Sequence, residues 1–183
     1  MYTFTLDTNC IIAVEKQEPA ALAIRALADA HAVANAHVVV AVSASERQKP
    51  DREIANFNQF CERLSAVGLG HLAILRPMAY WGVTFWDWSV WASDQDQIER
   101  QLHQVLFPDV EFLWEDYCQN AGLDRRSRWR NYKCDVQMLW AHIHEKRDVF
   151  VTSEHRFHKS KKAALIALGA NRIECPKDAA SRL

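Results

Sequence analysis

The sequence predicts an α/β fold: a parallel sheet covered on both faces by helices, in three α/β/α layers. Three observations predict it. Short runs of β-forming residues recur along the 183 residues, separated by segments of helical period. Their order is strand, helices, strand, helices, strand, helix, strand, and crossovers of that length join parallel neighbours. The composition, 49% hydrophobic with only 5 Gly and 5 Pro, suits one core without a disordered tail.

The elements follow in chain order. Residues 2–7 alternate Tyr2, Phe4 and Leu6 against Thr3, Thr5 and Asp7, a strand that ends on an acid. A short helix to Lys16 follows. Pro19 suits the first turn of an alanine-rich helix that reaches about Ala34. Residues 37–42 (HVVVAV) make a buried parallel strand. Ser43-x-x-Glu46 then starts a helix, and after Pro50, Asp51 caps another. The apolar face of that second helix is Ile54, Phe57, Phe60 or Cys61, Leu64 and Val67, and Gly68 and Gly70 end it.

Residues 72–75 (LAIL) form the next strand. Tyr80, Trp81, Phe85, Trp86, Trp88 and Trp91 crowd one segment, and such a cluster favours core over a surface that stacks on bases. Ser93 suits the N-cap of a helix to about Phe107; Pro108 breaks it, Asp109 caps the next and Gly122 ends that one. A long helix from about Arg126 to Lys146 carries the stripe Trp129, Tyr132, Val136, Leu139, Trp140 and Ile143. Residues 148–152 (DVFVT) are a strand, a helix runs from about Ser160 to Gly169, and residues 171–175 are the last strand. The whole chain, 1–183, reads as one domain, with 77–124 a helical insertion or a lid.

Charge and cysteines narrow the classes. A net charge of -1 leaves any nucleic-acid contact to local patches. Five cysteines, an odd number without a C-x-x-C pair, argue against a disulfide framework or structural zinc and for a reducing, cytoplasmic setting. The N-terminal MYTFTLDTN lacks the pattern of a signal peptide, and no apolar run is long enough to imply a membrane partner.

Ligands of an open parallel sheet bind beyond the carboxyl ends of its strands. Asp7 ends the first strand, Glu46 lies four residues past the second, and Glu154 lies just past the strand 148–152. Asp135 sits about 80° from the centre of its helix's apolar stripe, beside Tyr132 and Leu139. Carboxylates gathered in one cleft repel, and a divalent cation removes the repulsion. All-oxygen donors select hard ions, so Mg²⁺ or Mn²⁺ is the expected cofactor. Without the ion, asparagine in place of Asp7 or Asp135 is expected to leave the fold at least as stable. Each acid has a plainer reading: Asp7 as a helix cap, Glu46 as half of a capping box, Asp135 as a solvated helix residue and Glu154 as a loop acid.

Basic residues flank the acids, and cations around an acidic metal site suit the approach of a polyanion. Arg128, Arg130 and Lys133 before Asp135, and Arg156 after Glu154, are the candidate nucleic-acid contacts. His142 and His144, two apart, do not share a helix face and make no metal pair.

Four segments together resemble a known family. Leu6-Asp7-Thr8-Asn9 after an apolar strand resembles the opening motif of PIN domains, Glu46 its second acid and Asp135 its third. Phe150-Val151-Thr152-Ser153-Glu154-x-x-Phe157 is similar to the segment that carries the fourth. The similarity covers about residues 1–50 and 130–175. It implies a metal-dependent nuclease that hydrolyses RNA, often a toxin paired with an antitoxin. It implies catalytic roles for Asp7, Glu46, Asp135 and Glu154, with metal on Asp7, Asp135 and Glu154, and Asn9 and Thr8 or Thr152 as hydrogen-bonding supports. An RNA substrate, an antitoxin protein and a second copy of the chain are the partners it suggests. Two features depart from the family: the fourth acid is Glu154 where Asp is usual, and the stretch between Glu46 and Asp135 is longer than in compact members. The alternative is a PIN-like module with a decayed site that binds RNA or a protein. An unrelated nucleotide-binding domain is disfavoured, since no strand leads into a Gly-rich phosphate loop.

Overall fold

A computed structural model describes the chain except at residues 43–46, 50–51, 55, 81–82, 92–95 and 122–125. The chain runs β1 (Thr3–Leu6), α1 (Thr8–Glu15), α2 (Ala21–Ala32), β2 (His37–Ala41), β3 (Arg47–Lys49), β4 (Arg52–Glu53), α3 (Phe57–Ala66) and β5 (Ala73–Leu75). It continues through α4 (Asp96–Leu106), α5 (Trp114–Ala121), α6 (Arg126–His144), β6 (Val149–Val151), α7 (Lys162–Leu165), β7 (Arg172–Glu174) and α8 (Pro176–Ala180). Five strands form one sheet in the order β5-β2-β1-β6-β7, parallel throughout. The order turns back at β1: β2 and β5 extend to one side, β6 and β7 to the other. The edge beyond the carboxyl ends of β1 and β6, where crossovers leave in opposite directions, is where an open parallel sheet takes ligands.

Alternation along the strands divides the core. Phe4, Leu6, Val38, Val40, Val149 and Val151 face one side and pack with Ile11, Ile24, Leu27, Phe60 and Leu64 of α1, α2 and α3. Val39, Ala41, Phe150 and Ile173 face the other and pack with Leu102, Leu106, Val136, Leu139, Trp140 and Leu165 of α4, α6 and α7. Both faces are covered, which is why the central strands read as nearly continuous apolar runs. Within 77–124, α4 belongs to this second layer, with Leu102 and Leu106 packed in its core. Among the described residues, no helix is long and apolar enough to cross a membrane.

Several local expectations change. Ser43–Glu46, Asp51 and Ser93 lie outside the described residues. Where a helix was expected to follow Glu46, β3 and β4 form a small antiparallel pair. The next helix starts at Phe57, capped by Asn56, whose side chain accepts from the Gln59 amide. Both Asp51 and Asn56 are good capping types, and the one adjoining the apolar stripe caps. Trp114 starts α5, five residues past the expected cap at Asp109. Beyond the last strand, Pro176 opens the short α8, which the sequence reading did not anticipate. In the aromatic segment Phe85 is buried, but Trp86 (51% exposed) and Trp91 (84%) lie on the surface, against the expectation of core.

One polar contact holds the second layer to the central strand. His142 of α6 is buried, with Nδ1 2.9 Å from the Thr5 hydroxyl and Nε2 3.2 Å from the Ala170 carbonyl. The neutral ring satisfies both partners when Nε2–H donates to Ala170 and Nδ1 accepts from Thr5. Burial, partly opposed by the Ala170 bond, lowers its pKa from 6.5 to about 4. Above pH 6.5 the ring is neutral in both folded and unfolded chains and contributes nothing to pH dependence. As pH falls from 6.5 towards about 4, the unfolded chain takes up a proton that the folded one refuses. Stability should fall by about 3 kcal/mol across that window and then level off for this group. Urea unfolding at pH 7 and pH 4.5 measures it; His142→Gln should flatten that part of the slope, and an equal slope in both proteins would defeat the assignment.

Candidate functional site

Asp7 follows β1 directly, at that carboxyl edge. It is fully buried and caps α1. Its Oδ1 accepts from the Thr8 hydroxyl (3.1 Å) and the Asn9 amide (3.3 Å). Its Oδ2 accepts from Asn9 Nδ2 (3.2 Å) and, at short range, from the Thr152 hydroxyl. Four donors thus converge on one carboxylate, about the number its lone pairs accept. Asp7 is thus the N-cap of α1, its carboxylate hydrogen-bonded by Thr8, Asn9 and Thr152. Thr152 also links strand ends: its Oγ1 accepts from the Glu154 amide at 3.0 Å, and the Asp7 amide donates to the Val151 carbonyl at 3.0 Å.

Asp135 reaches the same edge from α6. His142 lies against Thr5 inside β1, and one turn earlier Met138 Sδ lies 3.5 Å from the Thr8 hydroxyl, just past the strand. The helix therefore climbs towards the carboxyl edge as its numbers fall, and Asp135 is nearly one turn further along. It stands on the same side as Asp7.

Glu154 follows β6 and caps a 3₁₀ turn, His155–Phe157, by accepting from the Arg156 amide at 3.3 Å. That turn aims Arg156 back at both acids: Nη1 is 3.0 Å from Asp135 Oδ2 and Nε is 3.5 Å from Glu154 Oε1. The guanidinium also lies over Phe107 and Tyr132, 5.4 and 5.7 Å from the ring centres. Asp135 and Glu154 are therefore joined through one cation, a bond that the sequence reading missed. The only signal for it is the two-residue step from Glu154 to Arg156 across a capped turn.

The basic candidates separate. Arg128 is exposed and Arg130 half-buried, both before Asp135 on α6. Lys133 is a correction: it is fully buried and turned away from solvent, so it offers no phosphate contact. Its Nζ lies 3.1 Å from Glu99 Oε1 and 3.2 Å from the centre of the Phe112 ring, with Tyr80 at 4.8 Å. Glu99 also accepts from Gln137 Nε2 at 3.0 Å, and Gln137 Oε1 accepts from the Met78 amide at 3.1 Å. Burial demands a partner for a cation, and α4 supplies it. Glu46 lies outside the described residues.

Among the described residues, no group of three or more His, Cys, Asp and Glu is arranged to hold a metal ion. The chemistry of the donors nonetheless fits one hard cation. Asp135 and Glu154, paired with different nitrogens of the one Arg156 guanidinium, offer carboxylate oxygens of the kind a hard cation takes. No family model, curated protein or solved structure matches this chain.

Proposed function

We propose that the chain is a PIN-like, divalent-metal-dependent ribonuclease that hydrolyses RNA phosphodiester bonds. The supporting observation is the shared edge of Asp7, Asp135 and Glu154, which arrive from β1, α6 and β6 at the point where the strand order turns back. Asp135 and Glu154, with Asp7 behind them, would hold Mg²⁺ or Mn²⁺, and Glu46 is the proposed fourth acid. The ion, when bound, supplies Lewis acidity and offsets charge on the phosphate. Thr152, Thr8 and Asn9 fix the Asp7 carboxylate so that it need not reorganise. Arg128 and Arg130 are proposed to meet RNA phosphates beside the cleft. A cytoplasmic setting, an antitoxin protein and pairing with a second copy belong to the same proposal.

A second reading is favoured by a specific observation. Asp7 is already saturated by four donors, and Arg156 already pairs with both Asp135 and Glu154. A PIN-like module that binds RNA or a protein without cutting would look the same.

End-labelled single-stranded RNA incubated with the purified chain separates the two. Cleavage is expected with Mg²⁺ or Mn²⁺ and none with EDTA. Retention of RNA without cleavage under any metal would remove the nuclease reading and leave the binding module.

A further inference from the structure

The amino edge of the sheet, opposite the acids, carries three imidazoles side by side. The ring centre of His31, in α2, lies 5.7 Å from that of His37, the first residue of β2. It lies 6.1 Å from that of His71, in the turn between α3 and β5. Hydrogen bonds fix where the protons sit. The His37 amide donates to the Tyr2 carbonyl, so the next amide, that of Val38, points to the β5 side. β5 begins only opposite Val39, and His31 takes the place a β5 carbonyl would have: the Val38 amide donates to its Nδ1 at 3.1 Å. His37 Nδ1 lies 3.2 Å from Arg147 Nη2, and a guanidinium has no acceptor. Both Nδ1 atoms therefore accept, and both rings are neutral with their proton on Nε2. A further proton can enter either ring only at Nδ1, where a donor already stands. We propose that this cluster is an acid-operated latch: protonation of His31 and His37 expels the Val38 amide and repels Arg147, loosening the entry of β2.

The latch holds three strands together. Arg147, buried just before β6, donates through Nη2 to the Phe4 carbonyl of β1 at 3.2 Å and the His37 carbonyl of β2 at 2.8 Å. A charged His37 pushes against that clasp. His37 is exposed and His31 half-buried, so protons arrive from solvent without unfolding the chain. His71 differs: its Nε2 faces the Ala28 carbonyl at 3.5 Å, so it takes a proton without losing that contact, and its charge then adds to the repulsion on His31. The other charged groups nearby are the exposed Asp29 on the His31 helix, and Glu145 and Asp148 beside Arg147. Asp148 is already engaged, accepting from the Thr3 amide and hydroxyl at 2.8 Å. Partial burial, then Arg147 and His31, lowers the His37 pKa from 6.5. Its contribution is therefore full above pH 6.5 and is lost as pH falls below that value.

This inference stands apart from the nuclease reading, and its test needs no substrate. The Val38 amide reports the latch directly, through its hydrogen-exchange protection factor in the full chain at pH 7.5 and pH 5.0. Between the two, the parent should lose about fivefold more protection at Val38 than His31→Asn does, the scale of one ordinary hydrogen bond. Asparagine keeps an acceptor near the Nδ1 position that does not titrate, and acid effects elsewhere in the fold act on both proteins alike. His71→Gln should lose protection as the parent does, within about twofold. Nitrogen spectra of the parent's imidazoles at pH 7.5 give a second measurement that needs no variant: His31 and His37 should each show a bare Nδ1 and a protonated Nε2. An equal loss at Val38 in the parent and His31→Asn, a loss abolished by His71→Gln, or a proton on Nδ1 of His31 at pH 7.5 each overturns the latch.

Discussion

Asp135→Asn is expected to lower RNA cleavage by at least about 100-fold while leaving the melting temperature of the metal-free chain nearly unchanged. An amide is a poorer ligand than a carboxylate and carries no charge to hold a cation. The stability cost is small because the pair with Arg156 is partly exposed, and such pairs contribute about 0–1 kcal/mol. Asp7→Asn should behave differently. The sequence reading expected relief from carboxylate repulsion at both positions. The structure removes the ground for that at Asp7, which is buried and accepts from Thr8, Asn9 and Thr152. An amide NH₂ there meets donors with a donor, a loss of about 1–3 kcal/mol. Parallel melting and cleavage measurements on the two variants therefore separate ligand from scaffold. Full cleavage by Asp135→Asn would remove Asp135 from the reaction, and an unchanged melting temperature for Asp7→Asn would contradict the donor cradle.

The largest stability effect is expected at Lys133→Met. The methionine fills a similar volume among Phe112, Tyr80 and Trp129, but Glu99 is left buried with Gln137 as its remaining partner in the network. Breaking one side of a buried pair costs about 3–5 kcal/mol, on the order of 10 °C in melting temperature for a chain of this size. The double variant Lys133→Met with Glu99→Leu should recover much of the loss, because no uncompensated charge then remains. Thermal unfolding of the two singles and the double closes the cycle. A double variant no more stable than Lys133→Met would show that packing, and not charge pairing, holds α4 against α6.

The same residue shows why part of the molecule was legible in the sequence and part was not. The strands and the α6 stripe were readable because their signal is periodic: Val38 to Ala41, Val149 to Val151, and Val136 with Leu139 all bury as the pattern requires. Lys133 sits in a run of charges that reads as a solvated face; its partner Glu99 is 34 positions away on another helix. Thr5 reads as the polar side of an alternating strand, yet it is buried because His142 reaches it across 137 positions. The pair of β3 and β4 carries Arg, Gln, Lys and Glu, with no β-branched residue to announce a strand. At the site, the acids after β1 and β6 followed from strand-end placement. Arg156 between them did not, since nothing in its spacing tells which carboxylates a turn will bring within reach.

The strand order also has a consequence for the growing chain. β1 is synthesised well before β6, and one of its two edges stays unpaired until β6 arrives; Asp7 and Thr152, which clasp at that seam, are 145 positions apart. Pairings of such sequence separation close late and slowly. Until then the edge of β1 that faces β6 stays open to mispairing. Asp135 and Glu154 come to the carboxyl edge of the sheet only when α6 and β6 dock, after β1 and β2 are already made.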